Sequence, residues 1–216
     1  MTPEQIFAGQ AVYTRRVLSG YDFFVLGISN RWLWRCPTRR LELHYRAHLS
    51  ANHLDVGVGS GYFLDRCKFP TPSPRLALMD MNEAALAYAA GRVSRYHPQC
   101  YVRSALAPIA LDTPGFDSIG VNYLLHCLPG RMPEKAVVFD HLRPLMRPGA
   151  VLFGATLVQG DAPRNLPARR LMAFYNRKGI FSNTADTLDA LTLELSLRFE
   201  NVQVELVGCA ALFAAR

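Results

Sequence analysis

The run His53-Leu54-Asp55-Val56-Gly57-Val58-Gly59-Ser60-Gly61-Tyr62 constrains this chain more than any other. An apolar stretch leads into three glycines at every second position. Glycine has no Cβ, so a chain of this kind can turn sharply at the end of a strand and bring its backbone close to a ligand. Residues 52–56 read as a first strand and 61–68 as the helix after the loop. That helix would present free N–H groups and a positive dipole end. The spacing is G-x-G-x-G. The dinucleotide fingerprint G-x-G-x-x-G is not met, because Tyr62 follows Gly61, and this disfavours a nicotinamide-dependent enzyme.

The rest of the chain alternates strand and helix signals. Residues 3–19, 22–35 and 37–49 read as helices ahead of the glycine loop. Residues 76–79 are a buried strand ending in Asp80, and Asn82 caps an Ala-rich helix over 83–96. Further strands are expected at 100–103, 116–123 and 150–158. A helix over 133–145 is stopped by Arg147-Pro148-Gly149. Residues 184–198 read as a helix opened by Thr184 and Thr187, and 202–207 with 210–215 as a closing strand pair. Such alternation implies an α/β fold, a mainly parallel sheet with helices on both faces. The strands are short and apolar without alternation, which suits burial on both faces. The 216 residues form one domain, 1–216, with a helical cap over 1–50 and a lid-like insertion over 161–183.

Composition excludes several classes. Half the residues are hydrophobic, which excludes disorder, and no apolar run reaches the ~18 residues of a membrane span. The N-terminus lacks the pattern of a signal peptide. Five cysteines, odd in number and with no C-x-x-C pair, read as reduced thiols of a cytoplasmic protein, with no metal. The formal charge is +7, with seven Arg against three acids in residues 1–50 and five basic residues against Asp161 over 161–178. Solvated faces are the first reading of that charge, and attraction of an anionic partner is the second. The sequence leaves a homodimer open.

Asp80 lies 19 residues after Gly61. An acid at the end of the second strand can accept both hydroxyls of a ribose, and its other reading is a cap for the next helix. Asp55, the glycine loop and Asp80 in this register resemble the class I S-adenosylmethionine-dependent methyltransferases, over residues 10–216. The nearest resemblance is to small-molecule enzymes of the ubiquinone and menaquinone biosynthesis type. Their N-terminal pattern is echoed by Tyr21-Asp22, Val25-Leu26-Gly27-Ile28-Ser29 and Trp34-Arg35.

The resemblance implies a Rossmann-like sheet of order 3-2-1-4-5-7-6 with the seventh strand antiparallel. It implies S-adenosylmethionine as cofactor, S-adenosylhomocysteine (SAH) as product, and a set of cofactor positions. These are Asp55, Gly57, Gly59, Gly61 and Tyr62 on the loop, with Asp80, Met81 and Asn82 at the ribose and adenine. Ser104 and Ala105 match the adenine-facing Asp-Ala pair, with Ser in place of Asp. Asn122 falls where the methionine moiety is met. Tyr13 and Tyr21 match aromatics that close over the cofactor, where a ring near a sulfonium gains cation–π attraction.

Methyl transfer needs alignment and exclusion of water, and a base when the acceptor is a phenol or an acidic carbon. His126, just past strand four, suits that task by its ordinary pKa and is the catalytic candidate. Its alternative is a structural role in the loop. His44, His48, His53, His97 and His141 read as structural. Tyr123, Tyr175 and Phe181 are expected to meet the acceptor, a small, aromatic, polyketide-like or isoprenoid-like metabolite.

Two other functions compete. A nucleic-acid methyltransferase is suggested by the charge. Against it, Asn122-Tyr123-Leu124-Leu125 is not the Asn/Asp-Pro-Pro-Tyr/Phe run of exocyclic-amine enzymes, and no Lys precedes Lys68. A protein that binds S-adenosylmethionine without transferring methyl, as a cyclase or partner subunit, keeps the same cofactor motif. Product mass would tell it apart.

Overall fold

The computed structural model describes residues 29–160 and 162–216. Tyr13 and Tyr21 lie outside the described residues. Seven strands form one sheet in the order β3-β2-β1-β4-β5-β7-β6. They are β1 (Asn52–Val56), β2 (Arg75–Asp80), β3 (Gln99–Val102), β4 (Phe116–Asn122), β5 (Met146–Leu157), β6 (Val202–Val207) and β7 (Ala210–Ala215). The first five pair in parallel, and β7 is antiparallel to both β5 and β6. The strand order and the antiparallel seventh strand are those expected.

Burial follows position in the sheet. Central β1, β2 and β4 are buried almost throughout, β5 is buried from Ala150 onward, and edge strand β6 alternates between half-buried and exposed. Alternate side chains of β2 serve opposite layers. Ala77 and Met79 join the core formed with Met132, Phe139, Leu142, Leu191 and Leu195. Leu76 and Leu78 join the core formed with Tyr45, Leu64, Leu86 and Ala89. The helices are α1 (Thr38–His48), α2 (Tyr62–Arg66), α3 (Glu83–Arg92), α4 (Met132–Lys135), α5 (Val137–Leu142), α6 (Leu166–Arg177) and α7 (Leu188–Ser196). The first core lies against α4, α5 and α7, and the second against α1, α2 and α3.

Several boundaries differ from the expectation. Residues 29–33 are π-helical and the helix has ended by Trp34, so 22–35 is not one helix through its described part. The helix after the glycine loop has five residues, ending where Cys67 turns extended. The expected helix over 133–145 is α4, α5 and a 3-10 turn at Arg143–Leu145, where Pro144 cannot donate a helical hydrogen bond. β5 begins at Met146, earlier than expected, because Phe116 pairs with Met146 before an irregularity resets the register to Ser118–Val151. Thr187 caps α7 through Ala190 N–H, which leaves Thr184 outside the helix.

The segment 161–183 carries α6, capped by Asn165 accepting from Ala168 N–H. Its buried residues Ala168 and Met172 pack with Trp34, Leu157, Cys209 and Leu212. It is therefore an amphipathic helix seated at the β5–β7 side of the sheet.

Candidate active site

The turn after β1 is built by three glycines in left-handed conformation, with φ of 72° at Gly57, 52° at Gly59 and 70° at Gly61. Gly57 N–H donates to Met79 O at 2.8 Å and Gly61 N–H to Val58 O at 2.9 Å, so the loop is held to β2 and closed on itself. A Cβ on Gly57 would lie 2.9 Å from Leu124 Cδ1, against the segment that follows β4. The loop, the ends of β1, β2 and β4, and the segments 103–106 and 127–129 enclose one cavity.

Asp55, Gly57, Gly59, Gly61, Tyr62, Asp80, Met81, Asn82, Ser104, Ala105 and Asn122 all line that cavity, as does Tyr123. Asp80 Oδ1 accepts from Asn82 N–H at 2.9 Å. Asn82, not Asp80, caps α3, its Oδ1 accepting from Ala84 and Ala85. The capping reading of Asp80 is thereby removed. Burial pushes its carboxyl up to about 6, and Asp55 adds to the rise. Ser104 Oγ accepts from Leu106 N–H at 3.2 Å, which turns the hydroxyl toward its own loop. Tyr62 donates to Glu42 Oε1 at 2.8 Å. Asn122 Nδ2 is buried and has no hydrogen-bond partner among the described residues, a donor left for a bound group.

Tyr123 carries positive φ (56°), a strained conformation for an aromatic residue. It is pinned by its N–H to Ala155 O at 2.7 Å and by its hydroxyl to Asn30 Oδ1 at 3.0 Å.

His126 lies behind the cavity wall and not on it. It lies in a 3-10 turn, Leu125–Cys127, is buried, and is not among the cavity-lining residues. Leu157 N–H donates to its Nδ1 at 3.3 Å, with Thr156 Oγ1 also 3.3 Å away. Nδ1 is thus an acceptor, and in the neutral ring the proton sits on Nε2. Burial, with Lys135 nearby, pushes its pKa down to about 3. Tyr175 and Phe181 do not line the cavity either. Phe181 meets His126 edge-on at 4.6 Å and Tyr175 at 4.8 Å, while His126 meets Tyr123 at 5.5 Å. The three form a row behind Tyr123. The segment after α6 is tied down by Ser182 N–H donating to His126 O, and by Lys135 donating to Ser182 O at 2.6 Å and Asp186 Oδ2 at 2.5 Å.

Sequence reasoning missed Arg103, Leu106, Cys127, Leu128 and Pro129 as lining residues. Arg103 directly precedes Ser104. Cys127–Pro129 stand in the loop that carries His126, so their place after β4 was the available signal.

Residues 54–152 match the family model described as a methyltransferase domain. The chain is 36% identical over 212 residues to demethylluteothin O-methyltransferase of Streptomyces thioluteus, covering 98% of this chain and 92% of that one. The chain belongs to the S-adenosylmethionine-dependent methyltransferases. This methyltransferase is also 35% identical to the physcion biosynthesis cluster O-methyltransferase of Aspergillus chevalieri, across 100% of this chain and 96% of that protein. A solved DhpI–SAH complex superposes with a TM-score of 0.73 at 15% identity, covering 100% of this chain and 98% of the other. In this methyltransferase the left-handed glycine turn, the Asp80 carboxylate freed from capping and the unpartnered Asn122 amide fit an adenosine with a charged amino-acid tail. No helix among the described residues is long and apolar enough to cross a membrane.

Proposed function

We propose that this methyltransferase O-methylates an acidic hydroxyl, a phenol or enol, on a flat small molecule of polyketide type. S-adenosylmethionine supplies the electrophilic methyl group. Asp80 holds the ribose hydroxyls, Met81 lies against the adenine, and Asn122 meets the methionine portion. Tyr123 and the Cys127–Pro129 segment face the acceptor, with His126, Phe181 and Tyr175 supporting that wall from behind. The named O-methyltransferase relatives support the acceptor atom.

The observation that carries this reading is the state of His126. It is buried, its Nδ1 is already an acceptor, and it stays neutral. It is therefore a positioning residue and not the base. An acceptor that ionises by itself needs only alignment beside the methyl donor in a dry site. Five cysteines, odd in number and with no C-x-x-C pair, support a reducing, cytoplasmic setting.

The test is a series of phenols of one shape and graded acidity. At fixed pH, kcat/KM should rise with the fraction ionised, and each product should gain one methyl. A rate independent of acceptor acidity would restore a protein base. A product of unchanged mass would mean cofactor-assisted isomerisation.

A further inference from the structure

A chain of buried hydrogen bonds runs from the floor of the cofactor cavity into the sheet, and neither the glycine loop nor the acceptor wall uses it. Tyr45, on α1, donates its hydroxyl proton to Asp55 Oδ1 at 2.8 Å. His53 Nε2 lies 3.0 Å from the same hydroxyl oxygen, and His53 Nδ1 lies 2.8 Å from Ser118 Oγ. Ser118 Oγ accepts from Ser50 N–H at 3.0 Å. Tyr45, His53 and Ser118 are all but inaccessible, while Asp55 lines the cavity.

Donor and acceptor arithmetic gives the chain a direction. A tyrosine hydroxyl has one proton, and here Asp55 takes it. His53 Nε2 must then donate to Tyr45. In the neutral ring Nδ1 is left to accept from Ser118, whose oxygen then takes the Ser50 hydroxyl proton across their 2.7 Å contact in place of Asn52 O, 2.9 Å from Ser50 Oγ. Every bond points toward the carboxylate, the arrangement in which successive bonds strengthen one another. Burial and the neighbouring Asp55 hold the Tyr45 phenol protonated, as a donor must be. Gly120 makes room for the chain, since a Cβ there would lie 2.8 Å from Asp55 Oδ1 and 3.1 Å from His53 Cε1.

We propose that Tyr45, His53 and Ser118 are positioning residues for cofactor binding, a directed proton-donor relay that fixes the Asp55 carboxylate at the cavity. The proposal rests on the cavity's taking S-adenosylmethionine. His53 then has a use that its place at a strand start does not suggest. Ser118 acts from two residues away by setting the His53 tautomer. Without Ser118, Nδ1 is free to take the proton, and Nε2 becomes an acceptor that competes with Asp55 for the Tyr45 proton.

The test is calorimetric titration with SAH of the wild type, Tyr45→Phe, Ser118→Ala and the double variant, with thermal midpoints recorded separately. Tyr45→Phe keeps the ring packing and should weaken binding about tenfold, the scale of a hydrogen bond to a charged group. Ser118→Ala should weaken it about threefold, because its effect reaches Asp55 only through two further bonds. The double variant should match Tyr45→Phe alone. Wild-type affinity in Tyr45→Phe, or losses that multiply in the double variant, would overturn the relay. Long-range proton–nitrogen NMR of His53 adds a readout independent of cofactor. Wild-type protein should show Nε2–H, and Nδ1–H would overturn the proposal. If the wild type bound no SAH while His53 showed Nε2–H, the cofactor assignment would fail and not the relay.

Discussion

Lys135 Nζ lies 2.5 Å from Asp186 Oδ2, and neither side chain reaches solvent. The pair joins α4 to the residue before the cap of α7 and fixes the segment carrying Phe181. Its attraction opposes a large desolvation cost, and burial pushes the lysine down and the aspartate up. Removing one partner leaves an unpaired charge in the interior. Lys135→Met should destabilise the protein by about 3–5 kcal/mol. The double change Lys135→Met with Asp186→Leu should recover most of that in denaturant unfolding. A double variant as unstable as the single would mean that the pair is not what holds these elements together.

Gly57→Ala strains a left-handed position, at about 1–2 kcal/mol, and drives a methyl group to 2.9 Å from Leu124 Cδ1. Leu124 lines the cavity, so relief of the clash moves the cavity wall. The expected result is a folded protein with little affinity for SAH in calorimetry. Retained affinity would show that the turn tolerates a side chain where this structure leaves no room.

Asp80 should make cofactor binding depend on pH. Its carboxyl is raised to about 6 in the folded protein, and the ribose hydroxyls favour the ionised form. Binding should therefore be strongest above pH 6. As pH falls below that value, affinity should decline by up to about tenfold per unit. Asp80→Asn should bind weakly at every pH and show no slope. A wild-type profile flat from pH 5 to 8 would contradict a ribose-binding Asp80.

The pH profile of kcat/KM should carry no limb from His126, because that imidazole is already neutral above about pH 3. His126→Gln should cost less than about tenfold in kcat and act mainly on KM for the acceptor. A general base is worth about 10²–10⁴-fold. A loss of that size with cofactor affinity unchanged would return His126 to the role of base.

By itself the sequence determined the glycine turn after β1 and the acid that ends β2. Val56 through Gly61 can make only a tight turn after a strand, and Asp80 ends the next strand a fixed distance on. Local chemistry of this kind depends on neighbours in the chain, while the seven-stranded order was legible through the family resemblance, and eleven of the positions that the resemblance implies line the cavity. The tertiary structure decided what lies across the chain. His126 stands beside the active edge in sequence, yet its ring turns into the β5 backbone and the aromatic row, because Leu157 N–H and Phe181 meet it there. Tyr175 and Phe181 stand behind Tyr123, since α6 buries Ala168 and Met172 on the sheet and so fixes where its flanks fall. Tyr45 and Ser118 come from α1 and β4, and only the packing of α1 on the sheet and the pairing of β1 with β4 bring them to His53 and Asp55. Burial and hydrogen-bond partners set a side chain's proton and its direction, and both are properties of the packed molecule.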